Sequence, residues 1–427
     1  MRAALWLVGL FGAAVAVALF VGNHQGTVTV FWPPWRVDLS LNLVVVGLLG
    51  GFVLLHAALR ATSALLALPR QARRWRQQQK ERAMHEALLQ ALSYLLAGRF
   101  LRARKAALSA LTQAQSLADS GVQIPHNQQL RAFAHLVAAD CSHALQDSNE
   151  RETHWQQALA ELPAGSSPQA QGLREGLVIR AARWSLDERD SQGALQHLHT
   201  LPHGAARRTA ALRIKLKASR LVGHTQTAME TARLLGKHRA FSAAAAQTLV
   251  RGLALELISQ ANDASALQQV WQSLDATERA MPELALHAAQ RLLKLDGESA
   301  VARQWLLPVW ERMEHHKLPD AQALRLVQTL EMGLDAVDNA WLARIEAAQQ
   351  AQPRNARLSY LAAAVCLQRQ LWGKAQQLFS QAAQHLEDAS LRASAWRHLG
   401  YLAEQRGDMD AAAQAWKNAA LHMQAGD

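Results

Sequence analysis

The sequence predicts an all-α protein in which two N-terminal membrane-spanning helices precede a right-handed superhelix of stacked helical hairpins. Three observations predict it. The chain opens on two long apolar runs without formal charge. The remainder is rich in Ala, Leu, Gln and Arg and almost free of strand-forming runs. Small and aromatic residues then recur at fixed spacing near the C-terminus.

The apolar runs cover residues 3–21 and 41–59 and hold no Asp, Glu, Lys or Arg. As a helix each rises roughly 28 Å, enough to cross a hydrocarbon core of about 30 Å. Arg2 precedes the first run, only Arg36 and Asp38 separate the two, and Arg60, Arg70, Arg73, Arg74, Arg76, Lys80 and Arg82 follow the second. The positive-inside bias therefore predicts a hairpin over residues 1–60 with both termini cytoplasmic and a short periplasmic loop. The competing reading is a cleaved signal peptide, suggested by the basic start and the small residues Ala16 and Ala18. The first run is longer than a signal-peptide core of about 7 to 15 residues and a second run follows at once, which favours the hairpin.

A pump or channel needs ionisable groups at depth, and the two runs offer only Asn42 and His56, each near an end. They do contain Gly47 with Gly51 and Gly9 with Ala13, spacings that let helices approach closely and that a Gly- and Ala-rich span also produces by chance; both readings stay open. In the connecting loop, the alternation Thr27-Val28-Thr29-Val30 predicts a short strand that Pro33-Pro34 turns back. Phe31, Trp32 and Trp35 are expected at headgroup level.

Residues 61–82 read as a basic juxtamembrane helix and residues 83–427 as the repeat domain. The clearest unit is Trp396, Leu399, Gly400, Gly407, Ala412, Trp416 and Ala419, whose spacing resembles the tetratricopeptide pattern. Gly400 and Ala412 would let the two helices of a pair cross closely, and Trp396 and Trp416 would fill space between neighbouring pairs. A preceding unit has Ala363, Trp372, Ala375, Phe379 and Ala382 at corresponding places, with the extra residues in the loop at Glu387-Asp388-Ala389. Weaker units are Ala91, Tyr94, Gly98, Phe100, Ala103 and Ala110, and then Ala139, Arg151, Trp155 and Ala158, with an arginine where a small residue is expected. Degenerate pairs follow over 182–201, 219–235 and 254–273. One unit cannot bury its apolar faces alone, so the pattern implies a continuous stack, with a soft division near Met281-Pro282.

No enzyme motif is present: no GxGxxG after a strand, no P-loop, no HExxH, no GxSxG. The chain is expected not to be an enzyme. Cys141 and Cys366 belong to no CxxC or haem-attachment motif, and a cytosolic domain keeps them reduced. Among 18 histidines the dense groups are His197, His199 and His203, and His315 with His316; at these spacings they do not share a helix face. No metal and no certain cofactor are expected, and a transient haem or porphyrin contact stays open. Trp155, Trp184, Trp271, Trp305, Trp310 and Trp341 read as packing between repeats.

Charge is uneven within a formal net of +11. Arg207, Arg208, Arg213, Lys215, Lys217 and Arg220 fall in a stretch without Asp or Glu, and Arg99, Arg102, Arg104 and Lys105 form another cluster. With Arg70, Arg73, Arg74, Arg76 and Lys80 these are candidate contacts for anionic lipid, at about 1 kcal/mol per nearby charge, for an acidic partner or for an anionic ligand. Nucleic acid is not expected, since no recognised module accompanies the charge.

The opening Arg2-Ala3-Ala4-Leu5-Trp6-Leu7, the loop from Asn23 through Gly26, Trp32-Pro33-Pro34-Trp35 and Asp38 to Ser40, the second apolar run and the repeat tail together resemble the HemY family of proteobacterial inner-membrane proteins, over essentially the whole chain. The resemblance implies a late step of protohaem synthesis and a scaffold that organises or regulates terminal enzymes, such as coproporphyrinogen oxidase or ferrochelatase, through protein–protein contacts. A flavin-dependent protoporphyrinogen oxidase shares the name, but the dinucleotide fingerprint it requires is missing here. The alternatives are a tetrapyrrole carrier or sensor with a basic groove and one histidine, and an envelope-assembly adaptor unconnected with haem. Relatives of the latter kind would end in paired CxxC motifs that this C-terminus lacks.

Overall fold

The computed structural model describes residue 13 and residues 26–424, apart from 121–125, 164, 166, 316, 317 and 336. The first apolar run, 3–21, therefore lies outside the described residues except for residue 13, and of the two spanning helices expected, one is found among the described residues. Contacts divide the chain into two compact units, Met1–Arg174 and Glu175–Asp427.

The first unit opens on a β-hairpin, β1 (Thr27–Trp32) and β2 (Trp35–Ser40), paired antiparallel with Thr27 opposite Ser40 and Trp32 opposite Trp35. Ser40 ends β2 and caps the next helix, its hydroxyl accepting from the Leu43 amide at 3.2 Å. That helix, α1, runs from Leu41 to Leu96 without interruption. Its segment Leu41–Ser63 is long and apolar enough to cross a membrane and is wholly unburied in the protein. Nothing among the described residues packs on Gly47 or Gly51. Residues 61–82 are thus the middle of one helix rather than a helix of their own: the helix runs on through Pro69 into a stretch of good helix formers.

The far end of α1 buries Met84, Leu88 and Ala91 against α2 (Phe100–Asp119), whose Ala103, Ala107, Ala110 and Ala114 recur at helical spacing and are fully or almost fully buried. Gly98, at φ +70°, makes the turn between them. α3 (Asn127–Ala144) and α4 (Ser148–Ala160) form the next hairpin, and Pro168 opens α5 (Pro168–Asp187).

The second unit continues with α6 (Ser191–His199), α7 (His203–Ala206), α8 (Thr209–Val222), α9 (Thr225–Lys237), α10 (Ala243–Gln260), α11 (Ala264–Ser273), α12 (Ala276–Arg279), α13 (Pro282–Lys294), α14 (Ser299–Glu314), α15 (Asp320–Met332), α16 (Asn339–Ala351), α17 (Ala356–Gln368), α18 (Trp372–His385), α19 (Ala389–Gln405) and α20 (Met409–Gln424). One apolar core runs through it from Leu212 to Ala415. The soft division expected near Met281-Pro282 does not exist. Pro282 stands in the first turn of α13, where a missing N–H costs nothing, and Leu274 and Leu284 on either side belong to that same core. Trp271 stacks on Trp305 at 4.7 Å, and Trp310, fully buried, meets the edge of Trp341 at 5.7 Å.

One turn recurs through both units. A helix ends, the next residue takes a left-handed conformation, and the amide after it donates five residues back. Asp147 donates to the Ser142 carbonyl, Asp190 to Ser185, His224 to Ser219, Leu371 to Cys366 and Asp408 to Ala403. The residue at positive φ is Gln146, Arg189, Gly223, Gln370 or Gly407. This Schellman termination satisfies the last carbonyls and reverses the chain within two residues. Asp147, Asp190 and Asp408 then accept from the amides of Glu150, Gly193 and Ala411, capping the second helix of the pair.

Candidate functional site

In the second unit α15, α17 and α19 are the first helices of three successive pairs. Between α15 and α19 lies an open cavity of about 560 Å³, lined by Gln328 and Glu331 from α15, Ser390, Ser394 and Arg397 from α19, and His422 from α20. Leu324, Leu391, Ala393 and Met423 also line it, and an aromatic cluster packs beside Glu331. Phe379, from α18, is fully buried; the His398 ring lies flat on it at 4.9 Å, and Tyr360 of α17 meets its edge at 5.6 Å. Edge and offset contacts of this kind hold rings in fixed orientation.

Glu331 is the point where these groups converge. Its Oε1 accepts a hydrogen bond from the Tyr360 hydroxyl and lies 3.3 Å from His398 Nε2. Burial, the Glu331 charge and that hydrogen bond push the Tyr360 pKa far up, so the phenol stays protonated and donates. At the rim Arg397 Nη2 donates to Ser394 Oγ at 2.5 Å, and Gln328 Nε2 to Ser390 Oγ at 3.2 Å. Alongside, Arg357 is held between Asp320 and Asp388 at 2.9 Å each, tying α15, α17 and the start of α19 together. The groove thus presents acceptors and donors on a rigid frame.

The sequence-derived site residues are distributed differently. Ala363, Ala375, Phe379, Ala382, Leu399, Gly400, Ala412 and Ala419 are buried, Trp396 is half-buried, and Gly407 takes φ +78° in its turn. Trp416 departs from expectation: it remains 41% exposed, rests on Gly400 of its own pair and donates from Nε1 to Glu404 at 2.8 Å. It packs within a pair rather than between pairs, because Gly400 leaves room for an indole there.

The basic candidates separate. Arg70, Arg73 and Arg74 lie on α1, but their side chains are outside the described part; Arg76 is exposed and Lys80 half-buried. Arg208 is paired with Glu175, and Arg213 donates to the Ala240 carbonyl while lying over Phe241 at 5.9 Å. Arg207, Lys217 and Arg220 are exposed and Lys215 is half-buried; Arg213, Lys217 and Arg220 share one face of α8. Arg104 is paired with Asp147 at 3.2 Å, whereas Arg99 and Arg102 line a cavity of about 530 Å³ with Phe100, Leu101 and Leu145. The cluster is therefore partly structural.

Both cysteines are buried thiols. Burial and the Asp140 charge raise Cys141 to about 11, and burial raises Cys366, so neither is a thiolate at neutral pH. Among the described residues no group of three or more His, Cys, Asp or Glu is placed to hold a metal ion. What sequence reasoning passed over is the pair His135 and His154, buried together with Nδ1 atoms 3.2 Å apart, and the Glu331, Tyr360 and His398 cluster. Neither has a sequence signature: His135 and His154 come from the two helices of one pair, and Glu331, Tyr360 and His398 from three different pairs.

A helix long and apolar enough to cross a membrane, followed by successive helical hairpins, defines an α-helical protein with one candidate membrane span among the described residues. Residues 26–123 match the family model described as the HemY protein N-terminus. The match covers that segment alone and makes the chain similar to the HemY family there. No curated protein matches the chain in sequence. Among solved structures it is similar to the Naa15/Naa10 complex bound to HypK-THB, at 12% identity and TM-score 0.25 over 76% of this chain and 57% of that one. It is also similar to Pseudomonas aeruginosa pilF, at 12% identity and TM-score 0.20 over 79% and 90%. With yeast Tom70 the identity is 13% and the TM-score 0.29 over 76% and 64%. The chain spans less than two thirds of the first and third of these.

Proposed function

We propose that this protein is a scaffold without catalytic activity of its own, spanning the bacterial inner membrane twice with both termini in the cytoplasm. Its repeats hold late haem-pathway enzymes together at the membrane through protein–protein contacts. The observation that carries the reading is the continuity of α1. The segment Leu41–Ser63 and the turns that bury Met84, Leu88 and Ala91 in the first repeat hairpin belong to a single helix. A covalent link between anchor and repeats confines whatever the repeats hold to the membrane, which raises its local concentration without any new chemistry. The groove between α15 and α19 supplies hydrogen-bonding surface for a partner, and the exposed face of α8 supplies charge for an acidic one.

Crosslinking in native membranes, followed by identification of the captured proteins, tests this. Terminal haem-pathway enzymes are expected among them, and deletion of residues 1–60 is expected to leave capture by the repeats intact while abolishing its location at the membrane. Unchanged haem and porphyrin levels in cells lacking the protein would overturn the pathway assignment.

A further inference from the structure

The register of the β-hairpin sorts its side chains into two unlike faces. Residues directly opposite each other across an antiparallel pair lie on the same side of the sheet. Val28 opposes Leu39, Val30 opposes Val37 and Trp32 opposes Trp35, so one face is wholly apolar. Thr27 opposes Ser40, Thr29 opposes Asp38 and Phe31 opposes Arg36, so the other is polar. On that polar face the two charges neutralise each other, Arg36 Nε lying 3.5 Å from Asp38, and the Arg36 guanidinium covers the Phe31 ring at 5.4 Å. The three aromatics expected to act together are thereby divided: Trp32 and Trp35 share the apolar face, and Phe31 stands on the other.

Trp32 and Trp35 are 76% and 73% exposed, and Val30 and Val37 about half exposed. An isolated two-stranded hairpin is marginal in water and needs a surface to lie on. That surface is adjacent. Ser40 is at once the last residue of β2 and the cap of α1, and the Gly26 carbonyl accepts from the Leu41 amide at 2.9 Å, so the hairpin is joined to the apolar segment with no intervening linker.

We propose that the face formed by Val28, Val30, Trp32, Trp35, Val37 and Leu39 is a lipid-docking surface that lies along the headgroup boundary of the outer leaflet and braces α1. A neutral hairpin with a paired-Trp edge fits that boundary, where amphipathic rings are favoured and unpaired charge is not. Strands of six residues reach about 20 Å, a lever long enough to oppose tilting of the helix. Because α1 is continuous into the first repeat hairpin, a brace outside also bears on the orientation of that hairpin inside. The inference rests on the reading of Leu41–Ser63 as a span.

The test uses the full chain in phosphatidylcholine–phosphatidylglycerol vesicles, with an environment-sensitive NBD label on single introduced cysteines. Val30→Cys and Val37→Cys report the apolar face, and Thr27→Cys and Thr29→Cys the polar one; the native cysteines are buried and escape the label. Labels at 30 and 37 are expected to lose most of their emission to shallow nitroxide lipids and little to aqueous iodide, with the reverse at 27 and 29. Equal access of iodide to both faces overturns the proposal. So does shielding of 30 and 37 from both quenchers, which would mean that protein, such as residues 3–21, covers the face. Failure of the unlabelled chain to remain with the vesicles would instead remove the span itself.

Discussion

Gly400 and Trp416 are fitted to each other: a Cβ built on Gly400 would stand 2.9 Å from Cε2 and 3.0 Å from Nε1 of the Trp416 indole. The contact is what allows α19 and α20 to approach, and Glu404, one turn further along α19, accepts from the indole Nε1 at 2.8 Å. Gly400→Ala is therefore expected to destabilise the C-terminal pair by about 1–3 kcal/mol, the usual cost of overpacking. Thermal melting of the detergent-solubilised protein reads the loss. Combining it with Trp416→Ala should recover much of it, since the double variant removes the clash.

The His135 and His154 pair makes the first unit sensitive to acid. Both rings are buried, and burial, followed by the neighbouring His154 and Arg131 charges, lowers the His135 pKa from 6.5 to about 4. The unfolded chain therefore binds a proton that the folded chain refuses. His135 contributes stability that is fully present above pH 6.5 and is lost as pH falls toward 4, by at most about 3 kcal/mol at roughly 1.4 kcal/mol per pH unit. Urea midpoints followed by hydrogen exchange on α3 and α4 should fall over that window. His135→Gln, which cannot charge, is expected to flatten the dependence.

The legible parts of this fold were those written in residue type. Apolar length predicts α1, Thr–Val alternation with Pro33-Pro34 predicts the hairpin, and Gly98 and Gly407 mark turns. The upstream repeats were hard to place because their turns use residues that do not advertise themselves: Gln146, Arg189 and Gln370 occupy the left-handed position that Gly223 and Gly407 take elsewhere. A side chain costs about 1–2 kcal/mol there. Gln146→Gly and Gln370→Gly are accordingly expected to stabilise, each by roughly 0.5–1 kcal/mol after the greater chain entropy of glycine is subtracted. Melting temperatures that fall instead would show that the Gln side chains hold these turns. The groove was illegible for another reason: Glu331, Tyr360 and His398 come from three helix pairs, and only packing through Phe379 brings them together.

Asp147 serves two functions at one of these turns, capping α4 through the Glu150 amide and holding Arg104 of α2. Asp147→Ala should lose about 1 kcal/mol from the cap and a further fraction from the half-exposed ion pair. Asp147→Asn keeps the cap and loses only the charge, so its melting temperature should lie between those of the alanine variant and the parent.

The groove separates recognition from stability because its members differ in burial. Tyr360 is fully buried, and Glu331→Leu would leave its hydroxyl without that acceptor, at about 1–3 kcal/mol. Arg397 is exposed, and Arg397→Ala should change stability by less than about 0.5 kcal/mol while removing the positive charge from the rim. If partners dock between α15 and α19, crosslinking in membranes carrying Arg397→Ala should recover markedly less of them with melting unchanged, whereas Glu331→Leu should lower both. Undiminished capture by the Arg397 variant would move the docking surface elsewhere. The exposed face of α8, with Arg213, Lys217 and Arg220, is then the place to reverse charge, and loss of capture there would assign recognition to electrostatics rather than to the groove.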